Sequence, residues 1–377
     1  MKVQRSREPF AIALVLALTL LGSLFLYVEG IDALEGRSGF QFFADSPTYH
    51  AAAAGGMVGF DSPADVVGLA ANYLGPLVVL MLAGENYYAV LVLNALMLAF
   101  SVGSLARSLR LDAVKLLLVL LANPMTISSL LSVNKEIVSL VFVAALVRAH
   151  AVGSMGALLL AAVTSILVRW QLTMVLFIAW LLFSAANPLR TRRRLTLLVL
   201  LGGLSVVYLQ LAATLEPIRL NFELATEEHE GSGVYEQLVS LQNSGWYWAV
   251  FPAKAAHLLF GMGVRMDRLF SPTNIYNDIW QLLHSTALLV LFIALLRGKR
   301  FRIGNDLVYL SLIYVAVFAV TPIYAPRYFY PVYVLWAAAF CSAGHRSLLP
   351  VPRWVRRRAG PVRSSQIPPV PISLGPR

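Results

Sequence analysis

One cysteine, Cys341, stands in a chain of 377 residues. An internal disulfide is excluded, and so are a thiolate metal cluster and a dithiol redox pair. Charge is scarce as well. Asp, Glu, Lys and Arg make up 13% of the residues, about half of the ~25% usual in soluble domains. Acids are the scarcer sign, 19 against 30 Lys and Arg. The sequence has no G-x-x-x-x-G-K-[ST] and no G-x-G-x-x-G, so phosphate cradling by a Gly-rich loop has no support. None of the six histidines stands in an H-E-x-x-H pattern, the helical zinc spacing. No internal repeat is visible, which counts against a transporter built from inverted halves.

Long apolar runs fill the chain instead, and 58% of it is hydrophobic. In lipid every backbone polar group must be satisfied within its own segment, which helices do. The runs are continuous rather than alternating, so a barrel is not expected. The sequence therefore predicts an all-α, polytopic integral membrane helix bundle. Apolar segments lie at roughly 10–28, 87–106, 112–131, 135–149, 153–168, 171–186, 195–214, 282–297, 305–321 and 329–343. Several are shorter than the ~20 residues of a perpendicular span. Residues 153–186 are interrupted only by "RWQ" at 169–171, which reads as a hairpin with Arg169 at its tip. The stretch 10–28 follows Lys2, Arg5 and Arg7, exceeds the ~7–15 residues of a signal core, and reads as a retained first helix.

Two more apolar stretches, 66–83 and 247–264, are settled by charge. If neither crosses, the cytoplasmic parts hold 22 of the 30 Lys and Arg and 3 of the 19 acids. The outer parts hold the rest. If both cross, Arg107, Arg110, Arg190 and Arg192 to Arg194 turn outward, against the positive-inside rule. The expectation is about ten transmembrane helices in a plasma or inner membrane, both termini cytoplasmic, with juxtamembrane helices on the outer face. Residues 1–349 form one domain with outer loops 29–86 and 215–281. Residues 350–377 form a basic, Pro-rich cytoplasmic tail, expected to be disordered. The net charge of +11 then reflects orientation and anionic lipid, not nucleic acid.

The outer face carries the candidate chemistry. Loop 29–65 is acidic and includes Asp45 in "FFADSPTYHAAA", with Tyr49 and His50 close by. Six cations face the same side among apolar neighbours: Lys135, Arg169, Lys254, Arg265, Arg268 and Arg327. A charge at such depth costs at least ~2.5–3.5 kcal/mol on insertion scales. It calls for a partner, such as Glu136 or Asp45, or for an anionic ligand. Arginine clamps phosphate oxygens bidentately and lysine acts as a point charge, so a lipid phosphate or pyrophosphate suits the set. Snorkelling or internal ion pairing accounts for each cation singly. Asp45 has two readings. It can act as general base on an acceptor hydroxyl, or it can cap a helix at 46–58 with Pro47 at the first position.

Taken in order, these features resemble a membrane glycosyltransferase of the GT-C type. The carriers are "FFADSPTYHAAA" after the first helix, "NYLGPLVVLMLAGENYYAVLVLNALML", "NPMTISSLLSVNKEIVSL" and "APRYFYPVYVLW". The last is also similar to the R-Y-x-x-P element of O-antigen-polymerase-like proteins. The chain departs from the pattern in lacking a second acid beside Asp45 and a C-terminal soluble domain. The resemblance implies an inverting transfer with Asp45 as base. Arg327, Lys135 and Arg169 would hold the donor phosphate, with Glu136, Tyr49, His50, Tyr328 and Arg265 lining the site. The donor would be a polyprenyl-phosphate-linked sugar and the acceptor a glycan, a lipid or a protein. No cofactor is implied, and a divalent cation stays open. The alternatives are a polysaccharide polymerase, which would depend on the arginines more than on Asp45, and a flippase without chemistry.

Overall fold

The computed structural model describes residues 8–35, 42–43, 45–55, 71–184, 187–225, 233–261, 275, 279–321 and 325–342. Among these residues the fold is all helical, without a strand. Helix α1 is Glu8–Glu29, α2 is Ile31–Leu34, α3 is Ser46–Gly55 and α4 is Ala71–Ala83. Then come α5 (Tyr87–Leu109), α6 (Ala113–Leu121), α7 (Pro124–Leu131) and α8 (Lys135–Val152). Helices α9 (Met155–Val168), α10 (Trp170–Phe183), α11 (Arg193–Ala225) and α12 (Gly233–Leu241) follow. A π turn, Gln242–Trp246, leads into α13 (Tyr247–Phe260). The last are α14 (Gln281–Arg297), α15 (Asp306–Ala319), a 3₁₀ turn at Pro326–Phe329, and α16 (Tyr330–Cys341). The basic tail lies outside the described residues.

Local sequence explains most of the starts. The first amides of a helix have no partner within it, and apolar surroundings offer no water to serve them. The side chains of Asn86, Asp112, Asn123, Asn134 and Asn305 accept hydrogen bonds from those amides in α5, α6, α7, α8 and α15. Pro124 follows Asn123 at the first position of α7, where its missing N–H costs nothing. This cap has a consequence. The segment 112–131, expected as one crossing, is two helices bent by 89°, because Asn123 adopts an extended backbone and starts a new helix.

The segment 153–186 also breaks, at Arg169, whose backbone is extended (φ −166°, ψ 136°). Ser165 Oγ and Thr173 Oγ1 meet across the break at 3.0 Å. A straight helix would hold residues eight apart at ~12 Å, so α9 and α10 fold back on one another. Gly153, with φ +71°, turns the chain between α8 and α9 in a conformation that suits glycine. Glu136, at the start of α8, meets Arg169. His150, near the end of α8, packs on Phe183 at the end of α10, centroids 5.0 Å apart. Helices α8, α9 and α10 therefore run down, up and down between two ends of the molecule. Helix α15 connects the same ends, from Asp306 beside Arg193 to Phe318 beside Tyr328.

Helices α8, α15 and α16 form the centre and are buried on nearly all sides. Polar groups inside pair off. Trp336 Nε1 donates to Ser311 Oγ at 2.8 Å, and the Tyr333 hydroxyl donates to the Val119 carbonyl at 2.6 Å. Around this centre the outer helices expose large apolar side chains, among them Leu20 and Leu24 on α1, Leu159 on α9, Phe177 on α10 and Val290 on α14. A soluble monomer rarely shows such continuous apolar surface. Three helices, Glu8–Glu29, Tyr87–Leu109 and Arg193–Gln210, are long and apolar enough to cross a membrane, or four spans if α6 and α7 count as one. Other apolar helices have 10–17 residues. These features are compatible with a membrane protein.

Asn94, in the buried face of α5, donates to the carbonyls of Leu130 at 3.1 Å and Ser132 at 2.9 Å, at the frayed end of α7. Asn94→Leu removes both bonds, and each orphaned buried carbonyl costs roughly 1–3 kcal/mol. The melting temperature of the purified protein in detergent should fall by several degrees; an unchanged value would show that the bent helix does not rely on Asn94.

Candidate functional site

Four elements converge at one end of the bundle: the start of α3, the start of α8, the break between α9 and α10, and the 3₁₀ turn before α16. Each brings a charged side chain. The Asp45 backbone carbonyl accepts from Tyr49 N at 3.1 Å, the first bond of α3. Its carboxylate faces Arg327, with Nη1–Oδ1 and Nη2–Oδ2 both 3.3 Å. The Tyr49 hydroxyl donates to the Asp45 carboxylate at 3.3 Å. Asp45 thus begins the helix with its backbone and meets a cation with its side chain.

A second pair lies deeper. Arg169 Nη2 is 3.6 Å from Glu136 Oε1, with side chains only 8% and 4% exposed. The outer pair is wetter, Arg327 at 17% and Asp45 at 33%. Tyrosine rings separate the cations. The Arg169 guanidinium lies over the Tyr328 ring at 3.6 Å, and Arg327 stands 5.8 Å from the same ring. The Lys135 ammonium lies 5.5 Å from the Tyr49 ring. Such faces attract cations without neutralising them.

Burial alone would raise the Asp45 carboxyl above its ordinary 3.8. The charges of Arg327, then Lys135 and Arg169, outweigh it and hold the group below that value. The Tyr49 phenol is pushed well above its usual range by burial, then by the Asp45 and Glu136 charges. Tyr49 therefore keeps its proton and remains a donor to Asp45.

Two buried polar atoms at this end, Glu136 Oε2 and Asn134 Nδ2, have no hydrogen-bond partner among the described residues. Both residues are 3% exposed. Orphaned groups at that depth call for an explanation, and both stand beside the cations. An apolar groove of about 450 Å³ runs between α4, α5, α8 and α9. Its lining includes Val138, two residues after Glu136, and Leu167, two residues before Arg169.

Of the residues singled out in the sequence, Asp45, Tyr49, Lys135, Glu136, Arg169, Arg327 and Tyr328 come together here. His50 engages elsewhere, stacked on Tyr87 with centroids 4.2 Å apart, and Tyr87 donates to Glu35. Arg265 and Arg268 lie outside the described residues. Lys254 is wholly buried and donates to Gln242 and to the Thr321 carbonyl. It ties the π turn to the chain that leads toward Arg327 and is not part of the ionic cluster. Tyr314 escaped the sequence reading. Its hydroxyl donates to the Tyr328 carbonyl at 2.8 Å and so fixes the ring beneath Arg169. In "SLIYVAVF" it looks like any core aromatic. Among the described residues no group of three or more His, Cys, Asp or Glu could hold a metal ion.

No family model, curated protein or solved structure matches the chain.

Breaking a buried ion pair from one side strands the other charge, at a cost of roughly 3–5 kcal/mol. Glu136→Gln and Arg169→Gln should each lower the melting temperature, and the double variant should recover part of the loss. Strictly additive losses would mean that the two side chains are not coupled. Asp45 gives a pH signature. Its folded value is depressed, so its stabilising contribution is full above the unfolded value and is lost as pH falls through the folded one. Below about pH 4 the wild-type melting temperature should fall more steeply than that of Asp45→Asn; parallel curves would count against the Asp45–Arg327 pair.

Proposed function

We propose that the chain is a polytopic membrane glycosyltransferase of GT-C-like kind. It would transfer a sugar from a polyprenyl-phosphate-linked donor to an acceptor at the outer face. About ten crossings with both termini cytoplasmic belong to this reading. The observation that carries it is the pairing of Asp45 with Arg327 at the rim of a cation cluster beside an apolar groove. An amphipathic phosphate ester needs both surfaces: cations for its phosphate and the groove for its chain.

Charge supports the choice of ligand. Arg169 and Arg327 balance Asp45 and Glu136, and Lys135 beside them makes the cluster net positive whenever it is protonated. A sugar phosphodiester carries one negative charge. In the transfer the acceptor hydroxyl oxygen attacks the anomeric carbon from the face opposite the phosphate. The bond from that carbon to the phosphate oxygen breaks, and the polyprenyl phosphate leaves with the electron pair. The hydroxyl proton passes to Asp45. The product phosphate then carries up to two negative charges, and neutralising Asp45 leaves the site one charge more positive to hold it.

Arg327 has a double role in this scheme. While it faces Asp45 it holds the carboxyl low, which makes a weak base. An incoming phosphate competes for the same guanidinium. As the phosphate draws Arg327 away, the carboxyl rises toward the range where it accepts a proton more readily. Base activation is thereby coupled to donor binding. Arg169, flat on Tyr328 and backed by Glu136, would serve as a fixed second contact for the phosphate.

The test compares surface glycans and lipid-linked sugars in a deletion strain complemented with wild type, Asp45→Asn or Arg327→Ala at matched membrane levels. Asp45→Asn should fail to restore the glycan, with a rate at least about a hundredfold down as for loss of a general base, and the lipid-linked donor should accumulate. Full restoration by Asp45→Asn with failure of Arg327→Ala would move the polymerase reading ahead.

A further inference from the structure

The opposite end of the bundle holds a second concentration of charge that the transferase reading does not use. Arg193, at the start of α11, donates to the carbonyls of Ile303 at 3.0 Å and Gly304 at 2.9 Å. It also pairs with the buried Asp306 and lies 5.0 Å from the Tyr309 ring. These contacts pin the turn between α14 and α15 against α11 and leave Arg193 neutralised. Around the pinned turn opens a cleft of about 1100 Å³. Four further arginines line it, Arg190, Arg192, Arg194 and Arg302, and no carboxylate does. Arg192, Arg194 and Arg302 are exposed and form no ion pair among the described residues. The first-turn amides of the long helix α11 add the positive end of its dipole.

The cleft is not merely polar. Phe301 and Leu195 form part of its wall. Beyond Leu195 the outer face of α11 continues with exposed Leu198 and Val199. Arginines over an apolar strip suit a ligand with phosphate at its head and hydrocarbon below. These are also residues that the positive-inside rule assigns to the cytoplasmic surface, where anionic lipids gather.

We propose that this cleft is a binding site for an anionic phospholipid bearing two phosphates. One guanidinium fork can engage one phosphate bidentately, and Arg192, Arg194 and Arg302 around a single opening can serve two phosphates at once. A lipid with one phosphate would engage one fork and leave the other two exposed arginines unmatched. The site stands at the far end of α15 from Asp45 and does not depend on the transferase reading.

Native mass spectrometry of the full-length protein in mild detergent tests this, with cardiolipin, phosphatidylglycerol, phosphatidylcholine and inorganic pyrophosphate as probes. Cardiolipin should bind tightest, phosphatidylglycerol several-fold more weakly, and phosphatidylcholine not detectably. Replacing Arg192, Arg194 and Arg302 together by Gln should weaken cardiolipin roughly tenfold or more. Replacing Arg107 and Arg110 by Gln, at the same end but outside the cleft, should leave it unchanged. If the triple variant does not fold, Arg302→Gln alone, on the exposed turn, should still weaken cardiolipin at least threefold. Equal losses in both arginine sets would show diffuse surface charge and overturn the site. Equal affinity for phosphatidylglycerol would overturn the two-phosphate specificity. Binding of pyrophosphate without cardiolipin would make it a site for a soluble anion and overturn the lipid.

Discussion

A guanidinium cannot give up its charge in a protein, and an apolar bundle cannot hold that charge alone. Arg169 sits at 6% exposure and much around it follows from that constraint. The break between α9 and α10 places its side chain at one end of the bundle. Glu136 comes to it on the first turn of α8, which Asn134 starts. Tyr328 lies flat beneath it, held by Tyr314 from α15. Three helix ends and the turn before α16 are thereby brought to a common point. Arg327, beside Tyr328 in sequence, and Asp45 then meet one layer further out, where water reaches. The cluster grades from a deep, dry pair to a shallow, wetter one. A ligand arriving from outside would meet the exchangeable pair first.

The two ends of the molecule solve the problem of charge differently. At the Asp45 end cations and carboxylates are mixed, paired and partly buried, and aromatic rings hold the cations apart. At the Arg193 end one arginine is paired and pinned while its neighbours stand at the surface. The first arrangement is expensive to assemble and fixes geometry. The second is cheap, because exposed arginines remain hydrated, and it leaves charge on offer to a partner. Between the ends, helices α15 and α16 carry hydrogen bonds that are individually small, roughly 0.5–1.5 kcal/mol each. The buried polar groups of these two helices are satisfied by such bonds, and close packing with α8 surrounds them.

Most helix positions were readable because their starts are written in short-range chemistry. Asn86, Asp112, Asn134 and Asn305 stand where the apolar runs begin. The turn at Arg169 was readable because one uninterrupted helix would have been too long for a bilayer. The bend at Asn123–Pro124 was written just as plainly, yet an apolar run on both sides hid it. That Arg327 needed a partner such as Asp45 was readable from its apolar surroundings, but not that these two would be the ones to meet. The two are 282 positions apart, and nothing local in either stretch names the other. His50 is close to Asp45 in sequence, and its ring stacks on Tyr87.

The sequence by itself determined the helical class and the apolar outer surface. Those follow from composition and from spacings of a few residues. Tertiary structure alone decided which cations converge, that Lys254 goes to a backbone carbonyl instead, and that Tyr314 supports Tyr328. Contacts between distant segments depend on how the helices pack, and packing is a property of the whole fold.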